Sequence, residues 1–442
     1  MSNPKSIPPI VLPPEIEERL ARFDGVARVG RVLAVTGTII RAELPEVRIG
    51  EVCRVKRPGQ SELDVEVVGF DRSGVILMAL GTLEGVEAGA AVTPAGKVHS
   101  TACGPEVRGR VLDALGRPID DKGSLGIEER APLTALPPHP LKRQRIRKPL
   151  ATGVRAIDAC LTVGRGQRVG IFAAPGVGKS SLLSMIARNV EADMIVLALI
   201  GERGREVAGF IEDDLGPKGL ERAAVVVSTS DQPALLRLKA AHTALAIAEA
   251  SRARGQNVVL LMDSVTRFAR ALREVGLAAG EPPGRQGYPA SRNKDQRMIN
   301  HTQINNQQFA AYIDGQWGED LDDPVADETM GLLDGHIMLS RDLAASGAYP
   351  AIDIVRSKSR VMGDITTQEH QAAAAKAVKI VATHRRNYDK ISCNAYERGS
   401  DPEVDESIDR IEGVKNFLNQ KRHEASAFDA SVAGLMDATG SA

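Results

Sequence analysis

Between Ile171 and Ser181 the chain reads IFAAPGVGKSS, a stretch whose residue types suit the binding of phosphate. Gly176 and Gly178 let the backbone curl so that successive N–H groups point inward at phosphate oxygens. Lys179 adds a point charge for the outer phosphates, and the Ser180 hydroxyl can reach Mg²⁺. With Pro175, Val177 and Ser181 they form a nucleotide-binding segment that ends as the pattern G-x-x-x-x-G-K-[ST] does, except that Ala173 stands where the pattern has its first glycine. If φ at Ala173 stays negative the methyl costs little, because the chain is only then leaving its strand.

Gripping phosphates does not split them; that needs a base and a second carboxylate. NVVLLMDSVTRF sets Asp263 at the end of an apolar run, from where a carboxylate can hold Mg²⁺ or its water. Taken alone, such an aspartate is as readily a cap for the next turn. ALIGERGREV places Glu202 after another β-rich run and ahead of a helix, at the carboxyl edge where open α/β sheets bind ligands. There it could orient and deprotonate an attacking water. The plainer reading of GERGREV is a solvated, charged helix start.

These side chains need a scaffold, and the chain changes character twice. Residues 1–98 follow a Pro-rich leader with short alternating runs such as GRVLAVTGTIIRAEL and ELDVEVVGF, which predict a small β-barrel whose aromatic rings are Phe23 and Phe70. Residues 99–367 alternate apolar runs (RVGIFAA, DMIVLALI, AAVVVSTS, NVVLLMD) with helical segments; strands apolar on both faces predict a doubly wound α/β domain with a parallel sheet. Residues 368–442, with QAAAAKAVKIVATHRR and VDESIDRIEGVKNFLNQKRHEASAF, have helical spacing and predict a helical C-terminal domain.

The 56 Lys and Arg balance 57 Asp and Glu, so no basic field gathers nucleic acid or anionic lipid. Cys53, Cys103, Cys160 and Cys393 lie far apart, which suits a reducing compartment and argues against a disulfide scaffold or cysteine metal site. The opening MSNPKSIPPIVLPPEIEERL has no apolar stretch long enough for a signal peptide, and no run reaches membrane-spanning length. The expected location is cytoplasmic, with any membrane contact peripheral.

APGVGKSS, LIGERGREV, LLMDSVTRFARALREVGLAAGEPP, DPVADET, LDGHIMLSR and YPAIDIVRSKSR, in that order, resemble the ATPases of type III secretion systems, a branch of the rotary-ATPase superfamily. The likeness covers most of the chain. DSVTRFARALREVGLAAGEPP and PVADET look closer to injectisome ATPases than to flagellar export ATPases. The resemblance implies a RecA-like P-loop core, Mg²⁺-dependent ATP hydrolysis, and a homohexamer with nucleotide between subunits and the barrels as a crown. It makes Lys179 and Ser180 the phosphate and Mg²⁺ ligands, Glu202 the catalytic carboxylate and Asp263 the Mg²⁺-organising acid. Arg360, in RSKSR, matches an arginine finger reaching the neighbouring subunit's site, and Tyr349, in AYPAID, the aromatic that packs on adenine. Without the resemblance, Arg360 reads as a surface charge and Tyr349 as an ordinary core or turn residue. The implied partners are export substrates, their chaperones, and central-stalk and stator-like regulators at the inner face of the membrane.

Three other functions compete. A catalytic subunit of a rotary ATP synthase shares the chemistry, but the C-terminal region has no acidic DELSEED-like segment. A hexameric nucleic-acid translocase is disfavoured by the balanced charge and the aromatic-poor barrel. A noncatalytic nucleotide-binding subunit would be expected to lose Glu202 or Lys179, and both are present. One stretch departs from the family: Arg292 to Gln308 is crowded with Asn and Gln, a composition that disfavours a buried central strand. FAAYIDGQWGED, with Trp317 near its end, offers a substitute. Divergence in a pore- or substrate-facing segment, a disordered insertion and an error in the sequence all remain open.

Overall fold

The computed structural model describes residues 28–134, 145–284, 287–289 and 329–441, the single residues Pro13, Ile16, His139 and Leu141, and the backbone of 311–315. Phe23, the whole of Arg292–Gln308 and Trp317 lie outside the described residues. The chain divides into two compact units, Met1–Lys97 and Val98–Ala442.

In the first unit β1 (Gly30–Thr36), β2 (Ile39–Glu43), β3 (Glu51–Val55), β4 (Leu63–Asp71), β5 (Gly74–Ala79) and β6 (Ala91–Val98) close into a barrel in the order β1-β2-β5-β4-β3-β6. Closure leaves no unpaired edge. Inward positions carry Val32, Ile40, Val55, Val65, Leu77 and Val92, so a single apolar cluster fills the interior. Phe70 is half exposed and adds nothing to that cluster.

The second unit is built on a sheet with the order β16-β15-β10-β14-β13-β11-β12-β8 among the described residues. Its strands are β8 (Arg110–Leu112), β10 (Val169–Phe172), β11 (Met194–Glu202), β12 (Ala223–Thr229), β13 (Val258–Asp263), β14 (Ala311–Gly315), β15 (Gly335–Met338) and β16 (Lys358–Ser359). Neighbours run parallel except β16, which is antiparallel to β15. A separate antiparallel ribbon joins β7 (Ser100–Ala102) to β9 (Arg130–Pro132). Every residue of β10 and β13 is buried, and so are all but the last of β11 and β12, as expected of a parallel sheet covered on both faces.

The strand between β10 and β13 comes from the divergent region. Ala311, Tyr312 and Ile313 pair with Leu260, Leu261 and Met262 on one side, and Tyr312 to Gly315 pair with Val169 to Phe172 on the other. AYIDG, part of the substitute read from the sequence, therefore fills the central place in the sheet.

The helices that matter to the site are α1 (Arg155–Cys160), α2 (Lys179–Asn189), α3 (Gly204–Gly209), α4 (Ala234–Ala253) and α5 (Val265–Ala278). The chain ends in α6 (Gln368–Ser392), α7 (Pro402–Leu418) and α8 (Phe428–Thr439). Thr367 caps α6 by accepting from the His370 N–H, and Asp401 caps α7 by accepting from Glu403 and Val404, with Pro402 in its first turn. The three helices share one apolar core with α1 and the sheet. Buried His370 donates from Nε2 to Ala159 O, 2.7 Å away, and lies edge-on to Phe428, tying α6, α1 and α8 together. No helix among the described residues is long and apolar enough to cross a membrane.

Candidate nucleotide site

The site is assembled at the carboxyl ends of adjacent strands. β10 leads into Ala173, which is buried and is not among the non-glycine residues with positive φ. The missing first glycine is thus accommodated as its strand-exit position allows. Gly176 and Gly178 have φ of 83° and 93°, values that other L-residues rarely adopt. A Cβ at Gly178 would also come within 3.4 Å of the Tyr349 ring. The helix begins at Lys179 with no side-chain cap, so its leading N–H groups point out of its N-terminus toward the loop. Val177 is buried beneath the loop, while Pro175 and Ser180 are exposed and Ser181 is partly so.

Asp263 is the last residue of β13, and its Oδ1 lies 2.9 Å from Lys179 Nζ. Both side chains are largely shielded, at 12% exposure for Lys179 and 6% for Asp263. Ser264 caps α5 by accepting from the Arg267 N–H, which fixes where Arg267 leaves the helix. Its guanidinium ion-pairs with Glu202, the last residue of β11. Gly201 makes room for that pair: with φ at 69°, a Cβ there would meet Arg267 Cδ at 2.9 Å.

Ser180, Glu202 and Asp263 line one cleft of about 370 Å³. Its other wall carries Glu206 of α3 and Asp213 and Asp214 of the wide π turn Phe210–Leu215, with Val207 and Phe210 as apolar lining. Arg422, from the loop between α7 and α8, completes it and ion-pairs with Asp214. Arg188, in the last turn of α2, donates to the carbonyls of Asp214 and Arg422; burial and the nearby Arg422 charge both push its pKa down.

Tyr349 lies against Gly178 and remains 43% exposed. Its backbone is held at both ends by the α7–α8 loop: Asn419 Oδ1 accepts from its N–H at 3.3 Å, and its carbonyl accepts from Gln420 N at 2.7 Å. Gln420 is 2% exposed; its Oε1 accepts from Arg155 N, and its Nε2 donates to the Gly153 and Glu424 carbonyls. Arg360 is apart from the cleft: it follows β16, is exposed, and donates from Nη2 to Met330 O at 3.3 Å.

The structure therefore gathers Lys179, Ser180, Glu202 and Asp263, sets Tyr349 beside the loop and leaves Arg360 on the surface. Sequence reading missed Arg267, although it stands four residues after Asp263 in DSVTRF, where a helix start aims it back at the strand ends. It also missed Gln420 and Arg422, which sit in a polar loop with no motif.

With that geometry in place, two family models match the chain: the ATP synthase alpha/beta family nucleotide-binding domain over residues 153–359, and the T3SS EscN ATPase C-terminal domain over residues 366–437. The chain is 42% identical to the type 3 secretion system ATPase of Xanthomonas euvesicatoria, over 96% of its own length and 97% of that protein. The chain belongs to the type III secretion ATPase family. Its members are ATPases, and they include proteins named for flagella at similar identity. The flagellum-specific ATP synthase of Bacillus subtilis strain 168 is 44% identical over 94% of this chain and 96% of that protein. The solved structure of assembled EscN with its central stalk EscO, from enteropathogenic E. coli, has a TM-score of 0.85 and 40% identity, covering 93% of this chain and all of that one.

Proposed function

We propose that this chain hydrolyses Mg·ATP as a ring of its own copies and so energises protein export by a type III secretion apparatus of the injectisome type. The convergence of Ser180, Glu202 and Asp263 on one cleft, with Lys179 held at 2.9 Å from Asp263, carries the reading. Lys179 and the N–H groups of the 175–181 loop bind the outer phosphates. Tyr349 packs on the adenine, as its place beside Gly178 suits. Glu202 orients the attacking water and takes its proton, and Arg267 holds that carboxylate in position. Ser180 and Asp263 are the residues that would hold a Mg²⁺ here, directly or through its water. When bound, Mg²⁺ neutralises charge on the phosphates.

The ring is supported by family membership, by the relative solved in an assembled state, and by Arg360, whose exposure suits a finger for a neighbouring subunit's site. A central-stalk partner is proposed on the same relative's complex. Chaperones and exported proteins follow from the function, and the working location is the cytoplasmic face of the membrane. The injectisome assignment rests on DSVTRFARALREVGLAAGEPP and PVADET; restored secretion in an injectisome ATPase deletion strain, but not in a flagellar one, would support it.

The site reading is tested with Lys179→Ala and Glu202→Gln. Each should lower ATP turnover by about 10²-fold or more, the scale on which single preorganised catalytic groups act. Turnover like the wild type in either variant removes that residue from its role.

A further inference from the structure

Arg422 is far along the chain from every phosphate-site motif, yet it reaches the cleft and pairs with Asp214. Asp214 belongs to the π turn that follows α3, on the same wall as Glu206 and Asp213. Arg188, on the helix that grows from the phosphate loop, donates to the backbone carbonyls on both sides of that pair. Three elements thus meet at one knot: the phosphate-loop helix, the wall downstream of Glu202, and the loop joining α7 to α8.

The wall contains an irregular element, the π turn Phe210–Leu215. Single π turns occur where a helix is locally widened, often at functional sites. This one lies between Gly209 and Gly216, the latter with φ of 67°, and is pinned at its end by buried Leu215. The C-terminal side is anchored at Gln420, two residues before Arg422, which is buried with both ends of its amide engaged. Asp214 is 15% exposed, and the guanidinium facing its carboxylate, that of Arg422, is 41% exposed.

We propose that Arg422 is a positioning residue for hydrolysis: by holding Asp214 against Arg188 it fixes the acidic wall relative to the phosphate loop, and it lets the C-terminal helices set the turnover of their own subunit. This rests on the cleft being the site of ATP hydrolysis.

The test uses the full chain, comparing Arg422→Ala, Arg422→Lys, Asp214→Asn and the exchanged pair Arg422→Asp with Asp214→Arg. Mg·ADP affinity, kcat and KM for Mg·ATP, and a thermal melt are measured for each. Arg422→Ala and Asp214→Asn should lower kcat by about 10-fold with KM and Mg·ADP affinity within about 2-fold, as small misplacements in an active site do. Arg422→Lys should lie between, and the exchanged pair should recover most of the loss. An unchanged kcat in the single variants overturns the proposal. So does a raised KM at constant kcat, which would make Arg422 a nucleotide ligand, and so does an exchanged pair no better than the singles. If Arg422→Ala fails to melt cooperatively, Arg422→Lys and the exchanged pair decide by the same criteria. Wild-type protein that fails to bind Mg·ADP, or Lys179→Ala protein that hydrolyses ATP normally, refutes the cleft reading instead and so separates the two failures.

Discussion

Asp263 and Glu202 each close a strand whose preceding residues are buried, and that is why their charges are delivered together at one edge of the sheet. An apolar run can bury itself only along its length, so the polar residue that ends it emerges at the sheet's rim. This rule made Glu202 and Asp263 legible, whereas Lys179 and Ser180 were legible from the glycine-loop pattern. It offered nothing for Arg422, a lone arginine in a polar loop whose contact with Asp214 spans more than 200 residues of chain. Buried charges without a catalytic place are also open to test. Glu249, on α4, has an Oε1 that is buried without a hydrogen-bond partner, and burial, only partly offset by the nearby Arg252 charge, pushes its carboxyl from 4.5 up to about 7. Below pH 4.5 it is protonated in both folded and unfolded chains; as pH rises through 7 the unfolded chain ionises more readily, and folding stability is lost. Glu249→Gln should therefore match the wild type near pH 4.5 and be more stable at pH 8, by up to about 3 kcal/mol. Urea melts at the two pH values check this, and equal stabilities at pH 8 would contradict it.

Among the elements, β8 is the edge strand next to β12, and it is held by side chains as well as by its three-residue pairing. Arg110 on β8 makes a two-pronged contact with Asp120, at 2.7 and 2.8 Å, and Val111 N donates to the same carboxylate at 3.0 Å. The Arg110 guanidinium holds the Asp120 carboxyl well below the usual carboxylate range. A depressed folded pKa contributes stability above the unfolded value near 3.8 that is lost as pH falls through and below it. Asp120→Ala should cost about 2–4 kcal/mol near neutral pH, because it takes the carboxylate from Arg110, 11% exposed, and leaves it the Gly123 carbonyl; the difference should shrink in acid. A urea midpoint unchanged at pH 7 would show that the edge needs no such clasp. The strands β10, β11, β12 and β13 could be read from composition, since each is an unbroken apolar run. β14 was harder: AYIDG is short and ends in Asp and Gly, and its neighbours in sequence are rich in Asn and Gln. It is a strand because β10 and β13 leave one place between them, and tertiary pairing there outweighs local propensity.

For the whole molecule, the ring is what would give Arg360 a purpose. Exposed in the single chain, it contributes nothing to its own cleft. Arg360→Ala should bind Mg·ADP normally and hydrolyse about 10³-fold more slowly, the lower end of what such arginines supply. Mixed with Lys179→Ala protein it should regain part of the activity, because some interfaces then combine an intact loop from one subunit with an intact Arg360 from the next. Full activity in Arg360→Ala alone would return that residue to the surface. The most direct measurement is the ATP hydrolysis rate per subunit over a range of protein concentrations, with mass determined in parallel, for wild-type and Lys179→Ala chains. Wild-type activity should rise as the mass shifts to a ring while Lys179→Ala stays near background; assembled wild-type protein that does not hydrolyse Mg·ATP, or a Lys179→Ala chain that matches it, would contradict a catalytic cleft built on this loop.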